Sequence, residues 1–149
     1  MNGCVGMEKK IEVIIKKIES FTPQGEDWYE LEDILEELYA SEKTELGLDS
    51  MIGIFEKYPN EDNDILWGML HGIEDIANYE MKVIESVKRI PSFFGVLMIN
   101  RMLNAGTYCI KNIDLINILR LSTVNPAATD YVKEQAERFL ERHSDKKER

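Results

Sequence analysis

Residues 79–104 read YEMKVIESVKRIPSFFGVLMINRMLN, two stretches of helix-period hydrophobicity separated by Pro91-Ser92. Proline has no backbone donor and clashes with the preceding helical turn, so the first helix, Tyr79 to Ile90, must stop there. Ser92 then suits the cap of a second helix, Phe93 to Asn104, because its hydroxyl can accept from an orphan backbone N–H. Outward from this unit the pattern recurs. Pro23, Pro59, Pro91 and Pro126 are spaced by 36, 32 and 35 residues. Each lies between two amphipathic segments, so eight helices paired around four prolines are expected.

The other three units follow the same logic. Ile11, Ile14, Ile15, Ile18 and Phe21 mark a helix from Gly6 to Phe21, and Trp28, Leu31, Ile34, Leu35 and Leu38 mark its partner beyond Pro23. Leu48, Met51, Ile52 and Phe55 stripe a helix from Leu46 to Tyr58; Leu66, Trp67, Leu70 and Ile73 stripe one from Asn63 to Ile76. The last unit is Ile113 to Val124, followed by Asn125-Pro126, read as N-cap and first helical position of a helix to Arg142. No run alternates with a period of two long enough to outvote these helices. The fold class is therefore all-α: one helical domain over 1–149, with 1–6 and 144–149 expected to lack order. A short α-solenoid of about four HEAT-like hairpins is the first architecture, an irregular helical bundle the alternative.

Composition narrows the function. Of the 149 residues 31% are charged, and the net charge is −10. That charge is not spread evenly. Residues 24–80 hold 17 acidic and 2 basic side chains, whereas residues 81–149 hold 8 and 12. Such an acidic field repels nucleic acid and anionic membranes and attracts basic proteins. No apolar run approaches the ~20 residues of a membrane span, and Met1–Lys10 lacks the pattern of a signal peptide. A cytoplasmic protein is expected. Cys4 and Cys109 are too few and too far apart for a metal quartet or a C-x-x-C pair, and are read as reduced thiols.

Three constellations bear on chemistry. Asn60, Asp62 and Asp64 copy the first ligand positions of an EF-hand loop, but Ile65 replaces the required glycine and His71 the bidentate glutamate, so no metal or cofactor is expected. Trp67, His71, Glu74 and Asp75 share one helix face or its edge. Lacking a nucleophile motif or phosphate loop, that face reads as structural, with Trp67 largely buried and His71 hydrogen-bonded to Asn100, Arg101 or Asn104; catalysis by His71 with Glu74 or Asp75 is the competing reading. No catalytic residue is assigned. The third is acidic: Glu30, Asp33 and Glu37 recur at i, i+3 and i+7, flanked by Glu32 and Glu36, with no lysine between Lys17 and Lys43. Like charges at i,i+4 each cost ~0.2–0.5 kcal/mol in an isolated helix. A solvated face would serve solubility alone; a partner-binding face would include Glu26, Glu30, Asp33, Glu37, Asp62 and Asp64.

The segment Leu66-Trp67-Gly68-Met69-Leu70-His71-Gly72-Ile73-Glu74, with Tyr79, Pro91-Ser92-Phe93-Phe94 and Asn100-Arg101-Met102-Leu103-Asn104, resembles the all-helical immunity proteins of bacterial polymorphic toxin and contact-dependent growth inhibition systems. The resemblance covers about the middle third of the chain and departs from the pattern at Phe93-Phe94, where a tryptophan is expected after the proline. It implies stoichiometric, non-catalytic binding of a cognate toxin domain, a basic nuclease by charge, in the cytoplasm. Trp67, His71, Glu74, Arg101 and Asn104 match the pattern and are expected to be scaffold. A general helical-repeat adaptor without a toxin partner is the alternative.

Overall fold

The structure, a computed structural model, describes residues 2–148, with side chains for residues 9–143. It is all-α. Eight α-helices are described: α1 (Asn2–Glu19), α2 (Tyr29–Ala40), α3 (Leu48–Lys57), α4 (Asp64–Glu74), α5 (Glu80–Arg89), α6 (Phe93–Asn104), α7 (Leu115–Ser122) and α8 (Asp130–Glu148). Every proline falls in the connection of a consecutive pair, as the spacing predicted. Among the described residues the only strands are β1 (Cys109–Ile110) and β2 (Ile113–Asp114), an antiparallel two-residue pair. Lys111 and Asn112 turn it with φ of 46° and 67°. The exposed thiol of Cys109 sits there. Expectations for the ends, 1–6 and 144–149 and Cys4 among them, fall outside the residues whose side chains are described.

The chain divides into two units, the first comprising residues up to Ile54 and Asn63–Ala77. Here α1 and α4 each pack on α2. The buried stripe is Ile11, Ile14, Ile18 and Phe21 on the α1 side, Trp28, Leu31, Ile34, Leu35 and Leu38 along α2, and Leu66, Met69, Leu70 and Ile73 on α4. Between α1 and α2 the chain reverses in a tight turn in which Gln24 and Asp27 exchange backbone hydrogen bonds of 3.3 and 3.0 Å. Gly25 supplies the φ of +63° that this reversal requires. Asp27 Oδ1 then accepts the Tyr29 N–H at 2.9 Å, satisfying an orphan donor at the start of α2. A 3-10 turn at Thr44–Gly47 follows α2, with Gly47 buried beneath Leu38; a Cβ there would strike the leucine methyls.

The second unit comprises Phe55–Asp62 and the chain from Asn78 onward. Its centre is α6, apolar on nearly all sides and buried along Phe93–Asn100 and at Met102 and Leu103. A helix hydrophobic all round must be enclosed, and α5, α7 and α8 each pack on α6. Ser92 caps α6 as expected, its Oγ accepting the Gly95 N–H at 2.9 Å, while the Phe93 N–H donates to the Pro59 carbonyl at 2.7 Å. Phe55 stacks on Phe94 at 4.9 Å between ring centroids. The half-buried Glu56 carboxylate accepts from Ser86 Oγ at 2.7 Å and from Arg89 Nη2 at 2.6 Å. At the other end of α6, Gly106 (φ +90°) closes the helix: its N–H reaches Leu103 O and the Thr107 N–H reaches Met102 O, both at 3.0 Å.

One helix start differs from expectation. Asn125 does not cap α8; its Oδ1 accepts the Ala127 N–H at 2.9 Å in a separate turn. The cap is Thr129, whose Oγ1 accepts the Val132 N–H at 3.2 Å, so α8 begins after Pro126 has finished the turn. A buried polar pair ties α8 to α6: His143 Nε2 lies 2.6 Å from Asn100 Oδ1. Because that oxygen is an acceptor, the ring nitrogen carries the proton and donates. Replacing Asn100 by Leu would leave that donor facing a methyl group, so urea denaturation should show a loss of about 1–3 kcal/mol. A loss below ~0.5 kcal/mol would show that the pair contributes nothing to folding.

Candidate functional site

The apolar underside of α2 is fully used: Leu31, Ile34, Leu35 and Leu38 are all buried. At 3.6 residues per turn, this leaves Tyr29, Asp33, Glu36 and Ala40 along the outward line, with Glu30 and Glu37 on one shoulder and Glu32 and Tyr39 on the other. All eight are exposed. The helix thus displays five carboxylates, with Tyr29, 68% exposed, at the N-terminal end of the row. Glu37 is committed in part, its Oε2 standing 3.4 Å from Lys17 Nζ of α1. Glu30, Glu32, Asp33 and Glu36 have no ion-pair partner among the described residues.

Of the six acids predicted to bind a partner, Glu30, Asp33 and Glu37 share this display. Glu26 is exposed in the turn before α2, Asp64 in the first turn of α4, and Asp62 belongs to the second unit. Tyr29 was not singled out from the sequence, although its position four residues before Asp33 and opposite the leucine stripe signals an exposed aromatic.

The expected seam position of His71 is overturned, whereas Trp67 is mostly buried as expected. His71 does not hydrogen-bond a neighbouring helix; its side chain is 61% exposed, and Nδ1 faces Glu74 Oε1 of its own helix at 3.6 Å. It lies on the side of α4 away from the stripe Leu66, Met69, Leu70 and Ile73. Trp67 is mostly buried, at the edge of that stripe with its ring 6.4 Å from the imidazole, while Met69 is fully buried at its centre. The histidine that partners Asn100 is His143. Arg101 is half-buried and Asn104 exposed, both on α6 of the second unit. Among the described residues no group of three or more histidine, cysteine or carboxylate side chains is placed to hold a metal ion.

A second feature adjoins the acidic display. Tyr39, on the α2 shoulder, leans on α4 where Gly72 has no side chain; a Cβ at Gly72 would collide with the phenol. Around this contact opens a groove of about 720 Å³ lined by Tyr39, Glu45, Gly68, His71, Gly72 and Asp75 among others. Burial pushes the Tyr39 hydroxyl above its ordinary pKa, and the Asp75 carboxylate pushes the same way by opposing a phenolate.

The Tyr39–Gly72 contact makes a sign-changing prediction. Gly72→Ala alone should destabilise by about 1 kcal/mol or less, because only the outer end of the partly exposed Tyr39 side chain has to swing off α4 to admit the Cβ. In a Tyr39→Ala background the same substitution should instead stabilise by up to ~1 kcal/mol, the helix-propensity difference between alanine and glycine. Equal effects in both backgrounds, measured by chemical denaturation, would show that the two residues do not touch.

Compared with protein-family models, curated proteins and solved structures, the chain matches none.

Proposed function

We propose that this chain is a non-catalytic binding protein that engages a basic partner protein through the outer face of α2. The observation that carries the reading is the display of five carboxylates behind an exposed Tyr29 at the start of α2, only one of which, Glu37, has an ion-pair partner among the described residues. A face built for solubility would gain by mixing in lysines, whereas a one-sign surface steers an oppositely charged protein. Tyrosine is among the residue types that most often anchor an interface, because it buries a large rigid surface at little entropic cost.

The resemblance at Leu66–Glu74, Tyr79, Pro91–Phe94 and Asn100–Asn104 makes the partner a toxin domain and the chain its cytoplasmic immunity protein. A nuclease toxin is basic because it must hold phosphates, and the acidic face complements it. Inhibition would be stoichiometric. The finer architecture, a short HEAT-like solenoid, belongs to the same proposal. It is supported by the second unit, where α5, α6 and α7 each pack on the next helix, and α5 and α6 also on the next but one. Among the described residues no helix is long and apolar enough to cross a membrane.

On this reading the gene should sit directly downstream of a large toxin gene with a variable C-terminal domain, and co-expression with that domain tests the partner directly: the two should co-purify at fixed stoichiometry, and the absence of such a gene would count against a toxin partner. The face is tested with Glu30→Lys, Asp33→Lys and Glu36→Lys together, leaving the Lys17–Glu37 pair intact. Exposed charges contribute little to folding, so the unfolding midpoint should stay nearly unchanged. The association rate should fall by at least about tenfold at low ionic strength, and the loss should shrink as salt is added. A triple variant that binds and neutralises like the wild type at low salt would mean that the face only keeps the protein soluble.

A further inference from the structure

The groove beside the acidic face has a lining suited to one kind of side chain. Glu45, from the 3-10 turn, and Asp75, from the C-terminal end of α4, bring carboxylates from two separate elements. No lysine or arginine lines the groove among the described residues. Tyr39 forms an aromatic wall. Part of the floor is bare: a Cβ at Gly68 would meet nothing within 4 Å. Groove and face lie in the same unit and share α2, since Tyr39 occupies the shoulder next to the line of Tyr29, Asp33 and Glu36.

From this arrangement we infer that the groove seats an arginine side chain of the partner protein. A guanidinium is flat and carries donors along several edges, so it can lie against the Tyr39 ring while donating to Glu45 and Asp75 at once. Lysine, a compact point charge, would gain the attraction of the carboxylates without the stacking. The glycine floor leaves room for the planar head that any larger residue would fill. This inference rests on the reading of the partner as a basic protein and adds to it the side chain that is recognised and where.

The test needs no toxin. Backbone amide shifts of Gly68 and Gly72 in the full chain are followed by NMR during titration with N-acetyl-arginine amide, N-acetyl-lysine amide and N-acetyl-citrulline amide. Arginine should give saturable shifts, lysine should bind about fivefold more weakly, and citrulline, isosteric but uncharged, should give no saturable response. Glu45→Gln with Asp75→Asn should abolish the arginine response while the unfolding midpoint stays in place. An equal response to citrulline, an equal affinity for lysine, no saturable response to arginine, or an arginine response that survives the double substitution would each overturn the assignment. Because the probe contains no partner, those outcomes leave co-purification with the toxin domain to be judged separately.

Discussion

The structure depends on a conflict within α2 that its buried side settles. Five carboxylates on one twelve-residue helix repel one another, and like-charged neighbours such as Glu32 with Glu36 and Asp33 with Glu37 each cost ~0.2–0.5 kcal/mol. Beneath them Leu31, Ile34, Leu35 and Leu38 are buried, each worth roughly 1.5–3 kcal/mol relative to exposure. Burial wins several times over. The helix is therefore a rigid platform on which acid can be concentrated without loss of fold, and the packing of α1 and α4 against its two sides fixes which residues point outward. The Lys17–Glu37 pair and the Tyr39–Gly72 contact follow from those neighbours.

A surface of this kind divides its work by range. At physiological ionic strength unpaired charges act over about 8 Å, enough to orient an approaching basic protein but not to hold it. Holding requires desolvated contact, and the first unit offers an exposed aromatic at the N-terminal end of the display and a groove at its edge. The groove also explains the two glycines of the Trp67-Gly68-Met69-Leu70-His71-Gly72 run. Gly72 admits Tyr39, and Gly68 leaves the floor open. Of the residues expected to be scaffold, His71 lines this concavity instead.

Much of the fold was legible because it follows from local rules. A proline between two amphipathic stripes ends one helix and permits another wherever it occurs, so the helix break at each of the four prolines was predictable, as was the Ser92 cap. What failed required knowledge of a partner element. The sequence reads His71 as a seam residue because its face carries no nucleophile motif or phosphate loop and Asn100, Arg101 and Asn104 are polar groups in need of partners. Yet the stripe Leu66, Met69, Leu70 and Ile73 already turns His71 outward. His143 carried the better signal, continuing Val132, Ala136 and Phe139 at spacings of four, three and four, but its neighbours are so polar that its burial was invisible without α6. Asn125 was misread because an Asx turn and a helix cap begin with the same hydrogen bond; only Thr129, four residues later, shows which one leads into α8. The acidic display was readable residue by residue, whereas the groove was not, since Tyr39, Glu45 and Asp75 come from three elements.

Hydroxyl-radical footprinting of the chain, alone and in complex with the basic partner protein proposed for it, measures the central claim most directly. Tyr29, 68% exposed in the free chain, should react readily alone and lose most of that reactivity in the complex. Tyr108 and Tyr131, exposed on the second unit, should react alike in both states. A Tyr29 that stays fully reactive in a stable complex, with protection at Tyr108 or Tyr131 instead, would contradict the account and move the interface off α2.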